Sequence, residues 1–93
     1  MDFHNDKPMT ISQIRAEIGN RKVVVGAKQL RKALQNGGVF RVYIALNADP
    51  RLTEPLMALC ETQNVDCACV KTMAELGQAC GIEVGAAAAA VLN

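Results

Sequence analysis

Short apolar runs alternate along this chain with stretches of helical periodicity, and the alternation predicts an α/β fold: a three-layer α/β/α sandwich around a four-stranded mixed sheet. Val23-Val24-Val25 and the run Val39 to Leu46 read as strands covered on both faces, whereas Leu30, Ala33 and Leu34 fall at i, i+3, i+4 on a helix. Glycines punctuate the elements at Gly19, Gly26, Gly37-Gly38 and Gly81. Ninety-three residues suffice for one modest core. With 51% hydrophobic but only 3% aromatic residues, that core must be packed from Val, Ile, Leu, Ala, Cys and Met rather than from rings.

Residues 1–9 are polar, lack periodicity and contain Pro8, which predicts a flexible N-terminal tail. Thr10 with Gln13 makes a capping box, and Ile11, Ile14 and Ile18 repeat along the first helix to the exit at Gly19-Asn20. A strand from Lys22 to Val25 feeds a helix from Lys28 to Gln35 through Gly26. The second strand, Val39 to Leu46, stops at the turn Asn47-Ala48-Asp49-Pro50. Because Pro55 cannot sit deep in a helix, the third helix is expected to start with Thr53 as N-cap and Pro55 in its first turn, then run to Gln63. Val65 to Val70 is the third strand. Thr72 with Glu75 is a second capping box, opening a helix that Gly81 terminates. The five alanines from Ala86 favour helix by propensity, yet Gly85 before them and Val91-Leu92 after them suggest a strand lying where only small side chains fit. Periodicity assigns faces to these strands, not their order in the sheet.

The net charge of +1 hides an uneven distribution. From Ile18 to Ala48 stand Arg21, Lys22, Lys28, Arg31, Lys32 and Arg41 with no Asp or Glu, leaving the rest of the chain at −5. On the second helix Lys28, Arg31 and Lys32 share one face opposite the leucines, with Gln29 beside Lys32. Such asymmetry points to a polyanionic partner, the alternative being a solvated helix face. The four cysteines lack zinc-ligand spacing, since Cys67 and Cys69 are one residue apart and the sole histidine is His4. Cys67 and Cys69 would share one face of a strand, and Cys60 and Cys80 fit apolar helix positions, so all four read as core residues and no metal is expected. With no signal-peptide pattern and no run of about 18 apolar residues, the expectation is a cytoplasmic protein with reduced thiols and no membrane partner.

Nothing in the sequence composes a catalytic site: no Ser or Cys sits in a nucleophile elbow, and the carboxylates are unpaired. A single glycine at the strand-to-helix turn is neither a dinucleotide fingerprint nor a P-loop, so no cofactor is expected. A helix N-terminus reinforced by Lys28, Arg31 and Lys32 does suit nucleic-acid phosphates, with Lys28 and Gln29 long enough to reach base edges.

Four ordered motifs extend this reading. GAKQLRKAL from Gly26, ALNADP from Ala45, LCE from Leu59 and ELGQACGIEVGAAAAAVL from Glu75 resemble the L7Ae/L30e family of ribosomal proteins, most closely its small bacterial members, over about Ile14 to Leu92. The resemblance implies that residues 10–93 form a single RNA-binding domain for kink-turns, in which tandem sheared G·A pairs beside a bulge bend the duplex. It implies that the Gly26-Ala27-Lys28-Gln29 turn enters the distorted major groove, that Lys28 and Gln29 address the guanines, and that Arg31 and Lys32 hold the backbone. The loop Ile82-Glu83-Val84-Gly85 matches the family's second contact, which packs apolar side chains on bulge nucleotides. Archaeal and eukaryotic members usually carry Asn-Glu where this chain has Lys28-Gln29, so a carboxylate acceptor is exchanged for phosphate attraction and an amide acceptor. The implied partner is kink-turn RNA, ribosomal or riboswitch, bound by a monomer. A protein-interaction or regulatory module on the same fold, using the loop 82–85, is the alternative reading.

Overall fold

A computed structural model describes residues 7–93. Most of the tail expected over residues 1–9 lies outside them; at its end the Met9 N–H donates to the Cys69 carbonyl at 2.8 Å, a single bridge beside Val70. Thr10 caps α1 (Ile11–Ile18) reciprocally, its hydroxyl accepting from the Gln13 N–H at 3.2 Å while Gln13 Oε1 accepts from the Thr10 N–H at 2.9 Å. Then follow β1 (Val23–Val25), α2 (Ala27–Asn36), β2 (Val39–Ala45), α3 (Pro50–Thr62), β3 (Cys67–Val70), α4 (Met73–Ala79) and β4 (Ala88–Leu92).

The strands form one mixed sheet in the order β1-β4-β2-β3. β4 runs antiparallel to both its neighbours, pairing Ala89 with Val25 on one side and with Tyr43 on the other, while β2 and β3 are parallel. Side-chain alternation then sorts residues into two cores. Tyr43, Ala45, Val70, Ala89 and Val91 face Ile14 of α1 and Leu76 of α4. Val42, Ile44, Ala88 and Ala90 face Leu30 and Leu34 of α2 and Leu56 and Cys60 of α3. Two helices on each side of the sheet make the three-layer α/β/α sandwich that the sequence predicts. The alanines of β4, an inner strand, are fully buried with a helical layer on each face; tertiary packing overrides their helical propensity.

Several boundaries shift by one residue from expectation, among them those of β1, α2 and β2, and three further differences have a visible cause. α3 begins a turn earlier than Thr53: Asp49 is the N-cap, its Oδ1 accepting from the Arg51 N–H at 2.9 Å, with Pro50 at the first helical position. Pro55 lies inside the helix after all. It sits on the exposed side, as does Arg51, whose carbonyl it leaves without an amide partner. β3 begins at Cys67 rather than Val65, because Asn64 takes a left-handed φ of 58° and the Val65 N–H closes the end of α3 on the Cys60 carbonyl at 2.9 Å. α4 ends at Ala79 with Cys80 as its C-cap, and Gly81, φ 81°, follows it.

Under α1 lies a polar cluster. Arg41 Nη1 donates to Glu17 Oε2 at 2.5 Å, and the Tyr43 hydroxyl donates to Glu17 Oε1 at 2.6 Å. Arg41 stands two residues before Tyr43 in β2 and so shares its face, the register irregularity between Val39 and Arg41 lying just ahead of it.

Candidate functional site

The sheet order decides what meets at its ends. Because β1 and β4 are antiparallel, the end of β1 lies beside the start of β4, and the Gly26 N–H donates to the Ala88 carbonyl at 3.0 Å. The end of β2 arrives at the same place, the Ala45 N–H bonding the Ala87 carbonyl at 2.9 Å. The Gly26 turn, the start of α3 and the loop 82–87 therefore gather at one end of the sheet. Sequence separation hid this juxtaposition of the two segments singled out in the sequence.

Gly26 makes the first of them possible. Its φ of 101° and ψ of 148° belong to a region open in practice only to glycine, and it turns β1 directly into α2. As N-cap it has no side chain, and α2 has no acidic residue in its first turn, so the amides of Ala27, Lys28 and Gln29 are free of intrahelical partners. The first amide bonded back is that of Leu30, to the Gly26 carbonyl at 2.9 Å. Leu30 and Leu34 are buried, which forces Lys28, Gln29, Arg31 and Lys32 onto the solvent face. With Gln35 they line a shallow hollow of about 280 Å³. An open amide end, a positive helix dipole and three adjacent cations give this surface a chemistry that favours anions.

The second segment leans on α4. A Cβ at Gly77 would lie 2.0 Å from the Val84 carbonyl oxygen, so only glycine lets the loop pass this close to the helix. The loop is tied at both ends, by Ile82 N–H to the Gly77 carbonyl and Ala86 N–H to the Met73 carbonyl, each 3.0 Å. Ile82 turns inward against the core, whereas Val84 is 70% exposed and Glu83 and Gly85 are open to solvent. Of the two apolar loop residues, Val84 is the more exposed and Ile82 is half-buried. Asn47 steadies the platform, its Oδ1 accepting from the Met73 N–H at 2.8 Å across from the β2–α3 turn. Exposed Leu46 and Leu52 add apolar surface to this end.

Sequence reasoning missed Asn47 and Gly77 as supports. A glycine inside a helical pattern is itself a signal of close packing; the role of Asn47 had no local signature, since its partner lies 26 residues away.

The cationic excess of the segment Ile18 to Ala48 is smaller in space than in sequence. Arg41 is spent on Glu17 and, at 3.7 Å, on Asp66; Arg21 donates to the Glu17 carbonyl and lies 4.3 Å over the Phe40 ring. Of that segment's cations, Lys22, Lys28, Arg31 and Lys32 have no ion pair, side-chain hydrogen bond or ring contact among the described residues. At the start of α3, Arg51 holds the Asp49 carboxyl below its ordinary pKa, first through its side chain and then through its N–H. Cys60 and Cys67 hydrogen-bond each other in the α2/α3 core; that bond and burial push the Cys67 thiol far up. No group of His, Cys, Asp and Glu among the described residues is arranged to hold a metal ion.

A family profile described as "Ribosomal protein L7Ae/L30e/S12e/Gadd45 family" matches residues 12–93. The chain is 43% identical over 72 residues to an "RNA-binding protein" of Bacillus pumilus, covering 77% of this chain and 88% of that one. It is 46% identical over 69 residues to an RNA-binding protein of Caldanaerobacter subterraneus, covering 74% and 84%. Among solved structures, the 15.5kD RNA binding protein of Giardia lamblia superimposes with a TM-score of 0.80 over 100% of this chain and 80% of its own, at 23% identity, a likeness of fold.

Proposed function

This chain belongs to the ribosomal protein L7Ae/L30e/S12e/Gadd45 family, and from that premise we propose that it is a non-enzymatic RNA-binding protein that recognises kink-turns and stabilises their kinked conformer. It acts as a cytoplasmic monomer, ribosomal or ribosome-associated. The relatives named RNA-binding proteins support the partner class. The observation that carries the finer reading is the meeting, at one end of the sheet, of a cationic helix end with free amides and an apolar loop tip.

Ordinary A-form RNA hides its base edges in a narrow major groove, but a kink with sheared G·A pairs widens it. The start of α2 enters there. Lys28 and Gln29 address the guanine edges, Arg31 and Lys32 neutralise phosphates, and Val84 packs on an unstacked bulge base. Since these contacts exist only when helix arms are folded together, the protein binds the kinked conformer better and draws the population to it.

A titration against two RNAs tests the reading: one with tandem G·A pairs beside a bulge, the other with those pairs changed to Watson–Crick, each at two salt concentrations. Tight binding of the first alone, lost in a Gln29→Ala/Lys32→Ala variant that keeps its fold, is the expected result. Equal binding of both that vanishes with salt overturns it and leaves an unspecific cationic face.

A further inference from the structure

A second hollow, of about 300 Å³, opens beside the one at the start of α2. Lys22, Gln29, Lys32 and Asn36 form its rim, and Val24 and Leu92 lie in its floor. Gln29 and Lys32 line both hollows, so the two adjoin and together mark out a path along α2. α2 folds back along β1, and the path accordingly leaves the Gly26 end of the sheet and follows the helix toward Asn36. There it meets Lys22, whose carbonyl accepts from the Leu92 N–H at 2.9 Å at the far end of the edge strand.

Resting on the kink-turn reading, we infer that this groove holds the sugar-phosphate backbone of one helical arm as it leaves the kink, with Lys22 as a phosphate contact remote from the G·A pairs. The chemistry of the rim fits that occupant. Lys22 and Lys32 present ammonium groups, Gln29 and Asn36 present amide donors, and no carboxylate lines the groove. Ten residues of α2 at ~1.5 Å each give about 15 Å of path, the span of a few stacked base pairs. A second copy of this chain suits the edge poorly, because the same cationic rim would face itself.

The test uses Lys22→Ala, an exposed position whose structural bond is made by the backbone, and two kink-turn RNAs, one with long arms on both sides and one trimmed close to the kink. Loss of one phosphate contact should weaken long-arm binding roughly fivefold at 0.15 M salt and lower the salt slope by about one, while leaving the trimmed RNA bound as before. Unchanged binding of the long-arm RNA, with kink-turn preference intact, overturns the groove assignment alone. Equal weakening on both RNAs also overturns it, placing Lys22 in the general field of the protein. If the wild type fails to prefer either kink-turn RNA over its Watson–Crick control, the underlying reading falls and the groove assignment with it.

Discussion

Gly77→Ala sets two known effects against each other. In an ordinary helix interior the change gains about 1 kcal/mol of propensity. Here the new Cβ would stand 2.0 Å from the Val84 oxygen, 3.0 Å from its carbon and 3.2 Å from Gly85 Cα, all backbone atoms that no rotamer change can move. Restoring ordinary contact at ~3.3 Å requires the loop to shift by over 1 Å. That shift strains the bonds from Ile82 to Gly77 and from Ala86 to Met73. Overpacking of this kind costs about 1–3 kcal/mol, so after the propensity gain the net expectation is a loss of up to about 2 kcal/mol, a fall in Tm of up to roughly 8–16 °C for a domain this size. Urea unfolding reads the stability, and the kink-turn titration reads the displaced Val84 as weaker binding beyond what the folded fraction explains. Gly85→Ala, whose Cβ would come no nearer than 3.2 Å to Met73 Cβ, is the milder control. A Gly77→Ala protein about 1 kcal/mol more stable than wild type, with unchanged affinity, would refute the close approach.

Tyr43 is the chain's single tyrosine, and burial, its bond to Glu17 and the Glu17 charge all raise its pKa far above the ordinary 10.0. The folded protein should therefore show no phenolate absorbance near pH 10–11; since the raised value belongs to the folded state, stability is full below pH 10 and declines above it, and a native titration at 10 would contradict the cluster. Tyr43→Phe should cost about 1.5–3 kcal/mol in urea unfolding, the range for a hydrogen bond to a charged group, and a neutral outcome would show that Arg41 alone satisfies Glu17. The lowered pKa of Asp49 means its support of α3 is present above pH ~4 and lost as pH falls through the lower folded value. Asp49→Asn should flatten the acid limb of a pH–stability curve, and superimposable limbs would dismiss the Asp49–Arg51 pairing as a contributor. Gly26→Ala meets no atom within 4 Å yet must adopt φ 101°, a strain of about 1–3 kcal/mol; retained stability and RNA binding would show that the turn relaxes freely.

Where an element is specified by its own residues, the sequence revealed it. The Thr10/Gln13 box, the Gly26 turn and the Leu30/Leu34 stripe each encode their structure locally, and the alanines of β4 declared a crowded site. Pro55 misled because the cost of a helical proline depends on where the freed carbonyl points, which only the packed helix shows. Arg41 counted toward the cationic excess of its segment, but its place two residues before Tyr43 sets it on the same side of the sheet, against Glu17. The likeness of motifs named the two contact segments, but their proximity follows from β4 entering between β1 and β2, a matter of strand order that no periodicity carries.

That insertion also sets an order of events. β1 is an early strand, and its one neighbour in the sheet is β4, the strand made last of the four. Until β4 is in place, β1 has no ladder to join, and the Gly26 amide lacks its anchor at Ala88. The most distant contacts in the chain are thus prerequisites for presenting the helix end, a topology expected to fold slowly for its size. A chain lacking β4 keeps the cationic residues of α2 but lacks the strand that anchors the Gly26 turn in front of them.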